Sequence, residues 1–179
     1  MLMTCIVTTL MLAMNGADDK FTSSTSTGAP AFEEIHKIDV HAHYFDDMPR
    51  FVEMLERINM RAVNICFYQT QPAMLTGAQM LAAMLSRKYG GTFYYASTFD
   101  LTRRNEPDYA EQVNAWLDRT FANGALMVKI WKEAGMQEKT PEGDYLMPDD
   151  PVFDPIYAHL AQKGKPLLAH LADPIDAWL

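Results

Sequence analysis

From Ile35 onward the hydrophobic period of the chain switches repeatedly between the two of a strand and the 3.6 of a helix. This alternation limits the fold more than any single residue does. IDVHA (38–42) is a short β-branched run, and FVEMLERI (51–58) follows with Phe51, Leu55 and Ile58 on one helical face. RAVNICFY (61–68) reads as a second strand. Residues 73–88 read as a second helix, with Leu81, Met84 and Leu85 at helical spacing. TFYYASTF (92–99) is a third strand, dense in aromatic and β-branched residues. Asn105 is placed to cap a third helix with Pro107 in its first turn. Val113, Trp116, Leu117 and Phe121 make that helix's apolar stripe, and Asn123-Gly124 stops it. ALMVKIW (125–131) is a fourth strand. In the fourth helix Asp154 is placed as the cap and Pro155 sits in the first turn. Phe153, Ile156, Tyr157 and Leu160 form its apolar face, and Gly164 ends it. KPLLAHL (165–171) is a fifth strand.

Such alternation builds a parallel sheet with helices outside it and right-handed crossovers. Two closures satisfy it. One is an open doubly wound sheet of five strands, which fits the 179 residues of this chain. The other is an eightfold barrel, which takes about 250 residues and eight such units.

Composition narrows the partners. Fifteen Lys and Arg against twenty-three Asp and Glu leave a net charge of −8. That balance argues against electrostatic capture of nucleic acid or an anionic membrane. Two cysteines, Cys5 and Cys66, cannot build a disulfide framework or a thiolate metal cage, so both read as structural.

Residues 1–31 precede a domain at 32–179. Their apolar run, from Cys5 to Met14, is far shorter than the ~20 residues of a bilayer span. It suits the core of a secretory signal followed by the small residues Gly16 and Ala17, yet no Lys or Arg precedes it. Export to a periplasmic or extracellular space, and a cytoplasmic protein whose true start lies near Phe32, both fit. Residues 18–31 read as a disordered linker rich in Ser, Thr and Asp.

The residues able to do chemistry gather at strand ends. Side chains alternate along a strand, so Asp39, His41 and His43 share one face of the first strand, and two imidazoles two residues apart can converge on one metal ion. The bland alternative is two surface histidines where a strand frays. His170 ends the fifth strand at the same topological place, and in parallel α/β folds that is where sites form. Asp39 is placed to orient an imidazole from behind or to bond within the core. Lys129 lies inside an apolar strand, sharing a face with Met127 and Trp131. It reads as a neutral base, a carboxylate partner or a metal-bridging carbamate, or else as a lysine whose amine snorkels to the rim. Trp131, Tyr44 and Phe45 are placed to line a pocket or simply to pack. His36 and His159 read as solvated, and KEAGMQEKTPEGD as a solvated loop or, because it follows the fourth strand, as one that overhangs the site.

KIDVHAHYF, GALMVKIWKEAGM and KPLLAHLADP, in that order and spacing, resemble the metal-dependent amidohydrolase superfamily, closest to its amidohydrolase-2 branch. The resemblance covers residues 35–179. It implies an α/β fold, a (β/α)8 TIM barrel truncated after about strand 5. It implies metal ligands at His41, His43 and His170, holding a divalent ion, Zn2+ first among the candidates. The family adds a histidine at strand six and an aspartate at strand eight, positions that fall beyond residue 179. In some branches a lysine on strand four is carboxylated and bridges two metals, and Lys129 stands on that strand. In this branch one metal is common.

The function implied is a hydrolase in which a metal-activated water attacks a C–N, C–O or lactone bond of a small molecule. Five barrel strands leave the first and fifth as open edges, so the expectation is a fragment that binds metal weakly, or one that pairs with a second copy of itself. The alternative, from another class, is a non-catalytic half-barrel or interaction module. A TatD-like nuclease ranks third, because that fold carries a glutamate on strand four where this chain has Lys129, with Glu133 beyond the strand.

Overall fold

The computed structural model describes residues 28–67 and 72–170. The apolar leader, most of the linker, Tyr68 at the end of the second predicted strand and Leu171 at the end of the fifth lie outside the described residues. Five strands are present: β1 Lys37–Ala42, β2 Met60–Ile65, β3 Phe93–Ser97, β4 Met127–Ile130 and β5 Leu167–Ala169. Four helices connect them: α1 Pro49–Arg57, α2 Pro72–Lys88, α3 Tyr109–Ala122 and α4 Asp154–Gln162. Every strand pair is parallel and the sheet order is β1-β2-β3-β4-β5. A doubly wound sheet reverses its order at a switch point. This one never does, so that alternative is set aside.

The two faces of the sheet differ in what covers them. On one, Val128 and Ile130 pack with Val113, Leu117, Ile156 and Leu160 from α3 and α4. On the same side Ala62 and Phe93 meet Val52 and Leu55 of α1, and Tyr95 meets Ala82 and Ala83 of α2. The other face closes on itself: Val63, Ile65, Ala96 and Met127 cluster with Tyr94, Trp131 and Leu168, and no helix takes part. Helices on the outside and strand side chains meeting inside make a curled half-barrel.

Most helix stripes fall where the period puts them, with informative departures. In α2 the buried apolar residues are Leu75, Ala82, Ala83 and Leu85, while Met84 is exposed. Two small alanines let this helix sit close to the sheet. In α1 the core takes Val52 and Leu55, and Phe51 stays half-buried against Tyr44. Neither predicted cap holds. The third helix begins at Tyr109, after a run of turns over 102–108, because Pro107 disfavours helical backbone at Glu106. Ahead of α4, Asp150 rather than Asp154 is the cap. Its carboxylate accepts from Val152 N at 2.9 Å and starts a 3-10 turn, Pro151–Phe153. Gly124 (φ 100°) and Gly164 (φ 61°) end α3 and α4 in left-handed backbone, as expected.

The loop after β4 is less solvated than its charge suggests. Its first residues, Glu133–Met136, form a short helical segment broken at Gly135 (φ 101°). Glu133 and Ala134 are buried, Glu138 pairs with Arg104 at 2.7 Å, and Lys139 and Tyr145 form an isolated antiparallel bridge. Among the described residues no helix is long and apolar enough to cross a membrane.

Candidate functional site

β1 is not a regular strand. Asp39 stands opposite Ala62 but Ala42 opposite Asn64, so three residues of β1 span two of β2. Such a bulge breaks strict alternation and re-aims the side chains beyond it. Ala42 turns toward the helix layer with Val52 and Leu55. His41 and His43, on either side of it, meet each other edge-on, ring centres 5.2 Å apart. Two roles are open to Asp39, orienting an imidazole or bonding within its surroundings, and its bond is to backbone. Its carboxylate accepts from the His41 backbone N at 2.9 Å, bracing the bulge, and its charge acts on His41 from there.

His43 is held on two sides. Its Nδ1 lies 3.3 Å from Ile65 O, at the end of β2, which leaves Nε2 as the ring atom facing outward. Its ring leans on Trp131, at the end of β4, with centres 5.4 Å apart. Trp131 is itself fixed, since Nε1 donates to Cys66 O at 3.1 Å. Phe67 stands edge-on to Trp131 (5.5 Å) and to Phe45 (5.8 Å), completing an aromatic wall beside the histidine pair. Tyr44 goes the other way. It packs against Phe51 and Phe93 on the helix side, tied to Asn64 through its backbone N and O.

His170 stands where the sequence placed it, at the end of β5, with its backbone N donating to Ile130 O at 3.2 Å. Its charge reaches His41. Loss of water around the ring comes first in lowering His41's pKa, then the positive charges of Lys129, His43 and His170, against the opposing pull of Asp39. His41 is therefore a neutral imidazole near neutral pH, the form that binds metals. What the structure assembles is the pair. Among the described residues no three His, Cys, Asp or Glu side chains are grouped so as to hold a metal ion.

Lys129 does not snorkel: it is 1% exposed. Burial pushes its ammonium below its usual range. Glu133, which the charge pattern assigned to solvent, is 8% exposed, with Oε2 lacking a partner among the described residues. Burial raises its carboxyl, and His170 is among the charges acting on it, so it borders this site. Cys66 is structural as expected. Its thiol donates to Gln79 Oε1 at 3.2 Å and burial pushes its pKa to about 12. His159 is not free in solvent but lies 2.9 Å from Asp118 Oδ1 on the helix layer, away from the strand ends.

Reading single residues missed Phe67 and Glu133. Phe67 had a usable signal, since it follows β2 as Trp131 follows β4 and as His43 follows β1. Glu133 had only the position of its loop, which follows the fourth strand and was placed to overhang the site, because a lone Glu in a charged run carries no mark of burial.

Comparison with protein-family models, with curated proteins and with solved structures gave no match.

Proposed function

We propose that the chain is a metal-dependent hydrolase of the amidohydrolase type, and that its five strands are the first five of a (β/α)8 barrel. The observation that carries the reading is the His41–His43 pair at the C-terminal end of β1, edge-on at 5.2 Å, beside an aromatic wall. The donor chemistry fits a zinc-like ion. His41 is held neutral, and His43 keeps Nε2 free because Ile65 O engages Nδ1, the arrangement that fixes a ligating tautomer. His170, at the end of β5, is assigned as the third ligand in this reading. A divalent ion held there supplies Lewis acidity toward a substrate carbonyl and an activated water.

The chain's own residues set the stage. Trp131, Phe67 and Phe45 keep bulk water off one side of the pair and offer flat apolar surface to a small substrate. The bulge braced by Asp39 holds the two imidazoles at the rim. The hydrolytic step asks nothing of Lys129. Cobalt titration tests the ligands: ligand-field absorption should grow with added Co2+ in the native protein and be lost in a His41→Ala, His43→Ala variant. The same spectrum in both would overturn the assignment.

A second reading, a half-barrel that binds a partner without catalysis, is favoured by the edge strand. Ile38 and Val40 on β1 are 47% and 46% exposed, which is unusual for apolar strand residues. A native protein that takes up no metal and forms concentration-dependent oligomers would favour this reading over the hydrolase.

A further inference from the structure

Lys129 is among the most deeply buried large side chains of the molecule, and its place in β4 puts it on the concave face with Met127 and Trp131 rather than among the helices. Among the described residues its amine takes no hydrogen bond and enters no ion pair. The Trp131 ring lies over it, with Nζ 5.6 Å from the centroid. An ammonium so placed has given up water without gaining an anion. The protein environment therefore favours the uncharged amine, as the direction of its pKa also indicates. An uncharged primary amine is a nucleophile, and burial against apolar and aromatic surface is one way proteins activate one. The surroundings also limit what it can meet. The apolar cluster on its face of the sheet, with Met127, Trp131, Val63 and Ile65, supplies no fixed cation for an anionic group, and His41 is the titratable group that feels its charge.

We infer that Lys129 is a covalent site for a small, largely apolar aldehyde or ketone, which it captures as an imine from the concave face of the half-barrel. The amine nitrogen adds to the carbonyl carbon to give a carbinolamine. That intermediate then loses the former carbonyl oxygen as water, which carries away the two amine protons, and a C=N bond replaces the C=O. No oxidant, metal or further co-reactant enters the balance. The inference rests on the burial of Lys129 and needs no metal, so a test run with chelator separates it from metal binding at the histidines.

The test is reductive trapping on the full chain. The protein is incubated at neutral pH with propionaldehyde and cyanoborohydride, with a chelator present, and the modified lysines are mapped by peptide mass spectrometry. Lys88 and Lys163, whose side chains are about half exposed and paired with carboxylates, are internal references for ordinary amines. The expected result is labelling of Lys129 several-fold faster than of either reference, because a larger share of its amine is uncharged when the free-amine fraction sets the rate. In a Lys129→Arg variant, label at Lys88 and Lys163 should be unchanged. Label on the references while Lys129 is spared, at neutral pH in the native chain, would overturn the inference, and that outcome needs no variant to fold.

Discussion

The imidazole of His43 leans over the indole of Trp131 at an interplanar angle of 33°, ring centres 5.4 Å apart, although the two residues end strands separated by two others. In a flat sheet, strands β1 and β4 would lie roughly 14 Å apart, three spacings of about 4.8 Å. The ring contact is therefore made across the concave face, and it is the curl of the sheet that brings the end of β1 to the end of β4. Everything argued for the site depends on that curl.

Trp131 is the fastener. Replacing it with Phe keeps much of the apolar surface but deletes the bond from Nε1 to Cys66 O. Trp131→Phe should lower stability by about 1 kcal/mol, the usual net worth of a buried hydrogen bond, in urea unfolding. Its effect on metal uptake should be larger than its effect on stability, since His43 loses the surface it leans on.

Lys129 carries a pH-dependent cost. Unfolded, its amine titrates near the ordinary 10.5; folded, burial holds it lower. Between those values the unfolded chain keeps a proton that the folded chain has lost, so stability rises with pH through that window. Below the folded value the penalty is complete. Lys129→Met should therefore be more stable than the native protein at pH 7, and thermal melts should show the gap narrowing as pH rises toward 10.5.

Glu133 behaves as the mirror image. Its unfolded carboxyl titrates near 4.5 and burial raises the folded value. In between, the folded chain holds the extra proton, so stability falls as pH rises through the window and the full penalty applies above it. Glu133→Gln should stabilise the protein at pH 7, with the gain shrinking as pH falls toward 4.5. A gain independent of pH would mean that the carboxyl is not the source of the cost.

The fold was legible because periodicity survives in short elements: all five strands and all four helices lie where alternation placed them. The caps were not. Asn105 and Asp154 are good cap residues by type, but Pro107 and the tight turn started by Asp150 move the helix starts. The site was half legible. HxH on β1 and a histidine ending β5 can be read from spacing, whereas the bulge that turns Asp39 onto the His41 backbone cannot. That bulge is a register slip between two strands, and one strand's sequence does not encode it. The aromatic wall likewise joins β1, β2 and β4, which are far apart in sequence.

The helix layer gives a reference perturbation. Phe153 is fully buried, packed between Phe99 (6.2 Å) and Tyr157 (5.9 Å). Phe153→Ala should cost about 3–5 kcal/mol in denaturant unfolding, the range for emptying a large core site. Because it lies on the helix side, a protein that still folds should keep its metal affinity.

Zinc content after equilibrium dialysis decides whether His41 and His43 are metal ligands. Three proteins are compared: the native chain, the His41→Ala, His43→Ala variant, and His159→Ala, whose ring pairs with Asp118 on the helix layer. Zinc is expected in the native chain and in His159→Ala, and none above background in the double variant. Equal zinc in all three, or none in the native chain, would contradict the assignment.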